Sequence, residues 1–212
     1  MDSTFLLIII GLGTILFSSI VHEITHAFVS DRLGDDTARH LGRLSFNPLV
    51  HIDPFGSILL PSFLLFINII GGVPVPIFGA AKPVPFNPYR LKFGEYGPAI
   101  VAVAGPLSNL LMAFLVGFGI SLAGVDASSM LFELSSLFIL INLGFFVFNM
   151  IPFPPLDGSR LLYSFAPESV RRLMESIERQ GLFAIALLLV FFQGPLSQFM
   201  SESIFFLYRL ML

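Results

Sequence analysis

From Phe5 to Val21 the chain carries no charged residue, and His22, Glu23 and His26 follow at once in the stretch SSIVHEITHAFVSD, Ser18–Asp31. An apolar run of this length is close to the ~20 residues that cross a hydrocarbon core as a helix. The helix satisfies its backbone polar groups internally, which lipid demands. Two imidazoles and a carboxylate at its end are costly in lipid, so they are either an accident at a helix end or a reactive site that the membrane surrounds.

The rest of the chain repeats the apolar pattern. It is 55% hydrophobic and 12% charged, with a mean hydropathy of +0.88, whereas a soluble domain is about one quarter charged. After the first segment (Phe5 to about Phe28) come Gly56–Gly72, Gly97–Gly124, Leu131–Ile151, Gly181–Phe192 and Leu196–Leu212. Glu168–Gln180 has helix-forming composition after Pro167 and can lengthen the short fifth segment backwards. The expectation is a mainly α, polytopic helical bundle forming one membrane domain over residues 1–212. Its start lacks a basic region and a small-residue cleavage site, and reads as a retained helix. No basic tract suggests a nucleic-acid partner. The absence of cysteine excludes disulfides, a thiol nucleophile and thiolate ligands, so nitrogen and oxygen must hold any metal.

The linkers are rich in Pro, Gly, Asn and charge. Arg43–Asn47 alternates polar and apolar, a short-strand signal. Lys82–Arg90, KPVPFNPYR, is too proline-rich for helix or central strand. Arg32, Arg39 and Arg43 follow the first segment, Lys82, Arg90 and Lys92 precede Gly97, and four arginines from Arg160 to Arg179 follow Ile151; Val125–Met130 has no Lys or Arg. The positive-inside rule then puts the amino terminus outside and the histidine end of the first helix at the cytoplasmic side. Gly56–Gly72 would reach only about 25 Å as a helix, and Pro61 weakens it further. It is expected to be re-entrant or interfacial.

His22-Glu23-Ile24-Thr25-His26 matches H-E-x-x-H. Residues four apart share a helix face, so both imidazoles can meet one ion while Glu23 points beside it. Zinc suits such a pair, with a third protein ligand and one position for water. Far downstream, in FNMIPFPPLDGSR (Phe148–Arg160), Asp157 follows a membrane segment and three prolines. It is either a surface turn or a carboxylate on a cavity wall.

HEITH together with NMIPFPPLDG resembles the site-2 protease family of intramembrane zinc metalloproteases, which carries H-E-x-x-H on one membrane helix and N-x-x-P-x-P-x-L-D-G near the end of another. AGPLSN (Ala104–Asn109) is similar to the family's intervening core helix. GRLSFNPLVHIDPFG and AKPVPFNP resemble its compact branch, without PDZ or CBS domains. The resemblance covers a catalytic core of about residues 5–165, with carboxyl-terminal helices over about 167–212 beyond it. It implies one Zn²⁺ held by His22, His26 and Asp157, with Glu23 as catalytic base.

The substrate implied is a transmembrane protein or peptide within the lipid bilayer. A helical substrate hides its carbonyls in its own hydrogen bonds and must be held extended, for example by addition to a strand edge. Arg43–Asn47, including Ser45 and Asn47, is the strand candidate. Asn149 either holds substrate backbone or bonds another helix, and His51 either lines the metal's approach or serves a turn. Asn109 is expected to bond another helix. Other readings of H-E-x-x-H are a membrane zincin acting on lipidated carboxyl termini, or a non-catalytic zinc-binding scaffold or transporter. If residues 56–72 do not make a single crossing, cysteines placed at Ser45 and at Asn87 will react with impermeant thiol reagents from the same side of sealed vesicles. Labelling from opposite sides would make Gly56–Gly72 a true span and overturn the joint assignment of topology and ligands.

Overall fold

The computed structural model describes residues 3–53 and 82–212. The re-entrant or interfacial segment expected at 56–72 lies outside them. Helix α1, Ser3–Arg32, contains the uncharged run and the histidine motif without a break. After a single short turn, α2 (Thr37–His40), come α3 (Gly97–Leu122) and α4 (Met130–Asn149). The shorter α5 (Gly158–Phe165), α6 (Glu168–Glu178), α7 (Leu182–Phe191) and α8 (Gln193–Met211) complete the described chain.

By length and hydropathy, α1, α3 and α4 are each able to cross a membrane, and α7 and α8 add a fourth candidate if their bent pair is one span. Helix α3 is central, packed on α1 and α4. Its distal half joins α4 and α8 in a core of Ala113, Ile120, Ile139 and Leu143, against which Leu207 and Met211 pack. Gly117 permits that approach: a Cβ there would lie 3.0 Å from Met211 Cβ. The outer faces are apolar, with Phe5, Ile8, Leu12, Phe114 and Phe118 exposed, as a lipid solvent allows.

One end of the bundle is closed by polar contacts. Lys92 N–H donates to Leu33 O at 2.8 Å, so the chain leaves α1 and enters α3 at the same end. Helix α4 runs back toward that end and delivers Met150–Asp157 beside α1. Among the described residues, the connection between α1 and α3 thus starts and finishes on one side.

Two local expectations change. Arg43–Asn47 is not a strand, and no strand occurs among the described residues. Its polar groups are spent locally. The Arg43 guanidinium donates to Val50 O, and Asn47 Oδ1 accepts from Leu49 N–H to start a 3-10 turn at Pro48. Nor does Glu168–Gln180 lengthen the next helix. Gly181, at φ 55°, breaks the chain in a conformation that favours glycine, so the charged α6 and apolar α7 part. A 92° bend separates α7 from α8.

Asp35 ties this end together. Its fully buried carboxylate accepts from Asn87 N–H at 2.6 Å, Thr37 N–H and hydroxyl, and Ser30 Oγ at 3.3 Å. Burial alone would push its pKa up, but the bonds from Thr37, Asn87 and Ser30 outweigh that and hold it below the usual carboxylate range. A depressed folded-state pKa stabilises above the unfolded value of about 3.9, and the contribution fades as pH falls through the folded value. Asp35→Ala is expected to lower stability by about 1–3 kcal/mol at neutral pH, because several donors lose their acceptor. Denaturant unfolding in detergent will show it, and the gap from the unsubstituted protein should narrow under acid.

Candidate metal centre

His22 and His26 lie one turn apart on α1, both buried, with their Nε2 atoms 3.0 Å apart. At 1.5 Å per residue His22 sits about 15 Å before Arg32, well within the apolar part of the bundle. Asp157 comes from the other end of the sequence. Helix α4 stops at Asn149, and the turns through the prolines bring the Asp157 carboxylate in just before α5. Its Oδ2 is 3.1 Å from His22 Nε2 and 3.4 Å from His26 Nε2. Gly158 is needed for this turn, since a Cβ there would lie 2.3 Å from Met150 O. The three side chains are the one His/Asp/Glu group able to hold a metal ion among the described residues.

The donor set fits zinc. Ligand atoms on a tetrahedral Zn²⁺ at ~2.0–2.1 Å stand roughly 3.3 Å apart, close to the separations found here. Each imidazole turns its other nitrogen to a fixed partner. His26 Nδ1 donates to Val101 O at 2.7 Å, and His22 Nδ1 is 2.7 Å from Asn109 Oδ1. Hydrogen bonds of this kind leave Nε2 free as the metal ligand. Space is provided by Gly105 of α3. A Cβ built there would lie 2.3 Å from His26 Nε2 and 2.7 Å from His22 Nε2, filling the volume in front of both ligand atoms.

Glu23 does not join the triangle. It points one residue round the helix, where its Oε2 accepts from Val84 N–H at 3.1 Å. Thus the proline-rich segment 82–87, anchored by Asp35, passes over the Glu23 carboxylate.

The other residues singled out from the sequence lie elsewhere. Asn149 Nδ2 donates to Phe145 O of its own helix at 3.0 Å. Ser45 Oγ accepts from Asn47 N–H, and Asn47 Oδ1 from Leu49 N–H. His51 is buried, and its Nε2 donates to Ser45 O at 2.7 Å, so it braces this loop and is not part of the metal group. Sequence reasoning missed the close approach of Gly105, the Val101 carbonyl, the Val84 N–H on Glu23, and Asn142, whose Oδ1 accepts from Asn109 Nδ2 at 3.0 Å. Only Gly105 left a legible signal, since it is one turn from Asn109 in AGPLSN and so shares its helix face.

Three similar proteins carry names that bear on this chemistry. The chain is 37% identical over 193 residues to "Putative zinc metalloprotease YwhC" of Bacillus subtilis, covering 88% of this chain and 81% of that one. It is 29% identical over 187 residues to "Putative zinc metalloprotease Rip2" of Mycolicibacterium smegmatis, covering 88% and 67%. The Rip2 of Mycobacterium tuberculosis strain H37Rv is 32% identical over 181 residues, covering 85% and 65%. No family model and no solved structure gives a significant match.

Gly105→Ala tests the cradle. The added methyl competes with the ion for the space before the two Nε2 atoms, so zinc content after purification and dialysis is expected to fall sharply while the helical circular dichroism remains. Full zinc occupancy in this variant would show that the ion sits elsewhere.

Proposed function

This chain belongs to the site-2 protease family of zinc metalloproteases, and from that premise we propose that it hydrolyses peptide bonds within or near the transmembrane segments of other membrane proteins. The observation that carries this reading is the His22–His26–Asp157 triangle set among helices long and apolar enough to span a bilayer. His22, His26 and Asp157 would hold the zinc. When bound, the ion supplies a Lewis acid that polarises a carbonyl and makes water nucleophilic near neutral pH.

The protein's own groups do the remainder. Glu23 accepts a proton from the attacking water and returns it to the leaving amine nitrogen. The Val84 N–H keeps the carboxylate turned to one side of the site before substrate arrives. His22 and His26 are buried while Glu23 and Asp157 stay partly exposed, so the metal-side nitrogens are shielded and the carboxylates remain open to water. Asn149, on the helix end leading to Asp157, keeps Oδ1 to accept a hydrogen bond from substrate backbone once its Nδ2 is bonded to Phe145 O.

The site faces the cytoplasm and the amino terminus lies outside. Of the 11 Lys and Arg residues only Arg209 falls outside residues 32–43, 82–92 and 160–179, the segments gathered at the site end by contacts such as Arg90–Asp36 and Arg171–Glu95. That asymmetry is what the positive-inside rule reads.

Glu23→Gln is expected to lower the rate of cleavage of a membrane-spanning reporter by about 10²–10⁴-fold, the usual contribution of a general base, with zinc retained. A chelator should abolish cleavage by the unsubstituted protein, and added zinc restore it. Near-normal turnover by purified Glu23→Gln protein would overturn the mechanism.

A further inference from the structure

A main-chain carbonyl, unlike an amide or an imidazole, has one hydrogen-bonding polarity: it only accepts. Such carbonyls reach the metal centre by two routes. One is direct, since Val101 O accepts from His26 Nδ1, which places a proton on Nδ1 and, in the neutral ring, leaves the lone pair on Nε2. The other acts at a distance. Phe138 O on α4 accepts from Asn142 Nδ2 at 2.9 Å. That bond turns Asn142 Oδ1 toward α3, where it accepts from Asn109 Nδ2 at 3.0 Å. Ser18 O on α1, 3.4 Å away, also accepts from Asn109 Nδ2. With its Nδ2 engaged on that side, Asn109 shows only Oδ1 to His22 Nδ1, at 2.7 Å, and Nδ1 must be the donor.

We propose that Asn109 and Asn142 form a polarity relay, running from the Phe138 carbonyl to His22, that fixes the imidazole in its Nδ1-protonated tautomer and so makes Nε2 a metal ligand. The proposal rests on His22 being a zinc ligand, as above. Both amides are fully buried, so no bulk water competes for their bonds. If the Asn109 amide turned over, its NH₂ group would face Nδ1 and require a lone pair there. The proton would then move to Nε2, the atom that must bind the ion. Asn142, the nearer of the two acceptors on Asn109 Nδ2, opposes this through its bond to Asn109. It is a positioning residue, and Asn109 is its intermediary. The histidines are thus oriented from two helices: His26 from α3 alone, and His22 from α4 through α3.

Two measurements test the relay. The first is apparent zinc affinity by chelator competition, for the unsubstituted protein and for Asn142→Leu, His22→Ala and the His22→Ala/Asn142→Leu pair. Removing an outer partner of a ligand histidine typically weakens metal binding about 10–100-fold. Asn142→Leu is expected to show that loss, and to add nothing in the His22→Ala background, where there is no tautomer to fix. Asn109→Asp/Asn142→Leu should recover most of the affinity, because a carboxylate only accepts and cannot present the wrong face. Normal affinity in Asn142→Leu, or an equal loss in the His22→Ala background, overturns the relay. Normal affinity in His22→Ala instead overturns the ligand assignment. The second needs no variant of the relay. In zinc-free protein labelled with ¹⁵N-histidine, with the His22 signals identified by their loss in His22→Ala, Nδ1 of His22 should carry a proton. An unprotonated Nδ1 overturns the proposal even if Asn142→Leu fails to fold.

Discussion

Within the apolar bundle, a buried polar group must find a partner, since lipid offers none. The three long helices meet their neighbours through one polar seam built on this requirement. His22 and His26 of α1 bond Asn109 and Val101 of α3, and Asn109 bonds Asn142 of α4. These contacts set the rotation of each helix about its axis, which apolar packing against lipid-like surfaces specifies only weakly. The same bonds that align the helices aim the nitrogens of the candidate metal centre, so bundle geometry and site geometry are one arrangement.

A second polar knot determines what faces Glu23. Asp35, just past α1, gathers Ser30, Thr37 and the backbone of Asn87. It thereby carries the proline-rich segment back over α1 and brings Val84 N–H to Glu23. Proline content matters here in a simple way. A segment with few N–H donors cannot pair as a central strand, so its conformation comes from the acceptors around it. The loop of residues 43–51 follows the same logic, with Arg43, Asn47 and His51 closing it on itself.

Glycines supply the remaining freedom. Gly105 lets α3 pass directly before the two imidazoles, and Gly158 lets the chain double back on Met150 so that Asp157 reaches them. A side chain at either place would separate ligands that come from opposite ends of the core. The candidate metal centre therefore depends on small residues as much as on the three side chains that could hold the ion. The first group creates a volume, and the second converges on it.

Much of this was legible in the sequence. Uncharged runs such as Phe5–Val21 and Gly97–Gly124 identified helices because apolar length is itself the physical condition for crossing a membrane. H-E-x-x-H placed His22 and His26 on one face because helical spacing is local. The family resemblance named Asp157 as their partner. What the sequence left open was long-range or rested on backbone polarity. The strand expected at Arg43–Asn47 follows from alternation, but a strand exists only with a partner, and local side-chain bonds took its polar groups instead. The helix expected through Gly181 looked continuous in composition, and a single left-handed residue divided it. Asn109 and Asn142, like Asp35 and Val84, lie far from their partners along the chain, and their roles depend on which carbonyl or N–H each one meets. Local spacing determines which side chains share a helix face; only the packing of α1, α3 and α4 decides which hydrogen-bonding group stands opposite, because that choice is made by backbone atoms whose positions no side-chain pattern encodes.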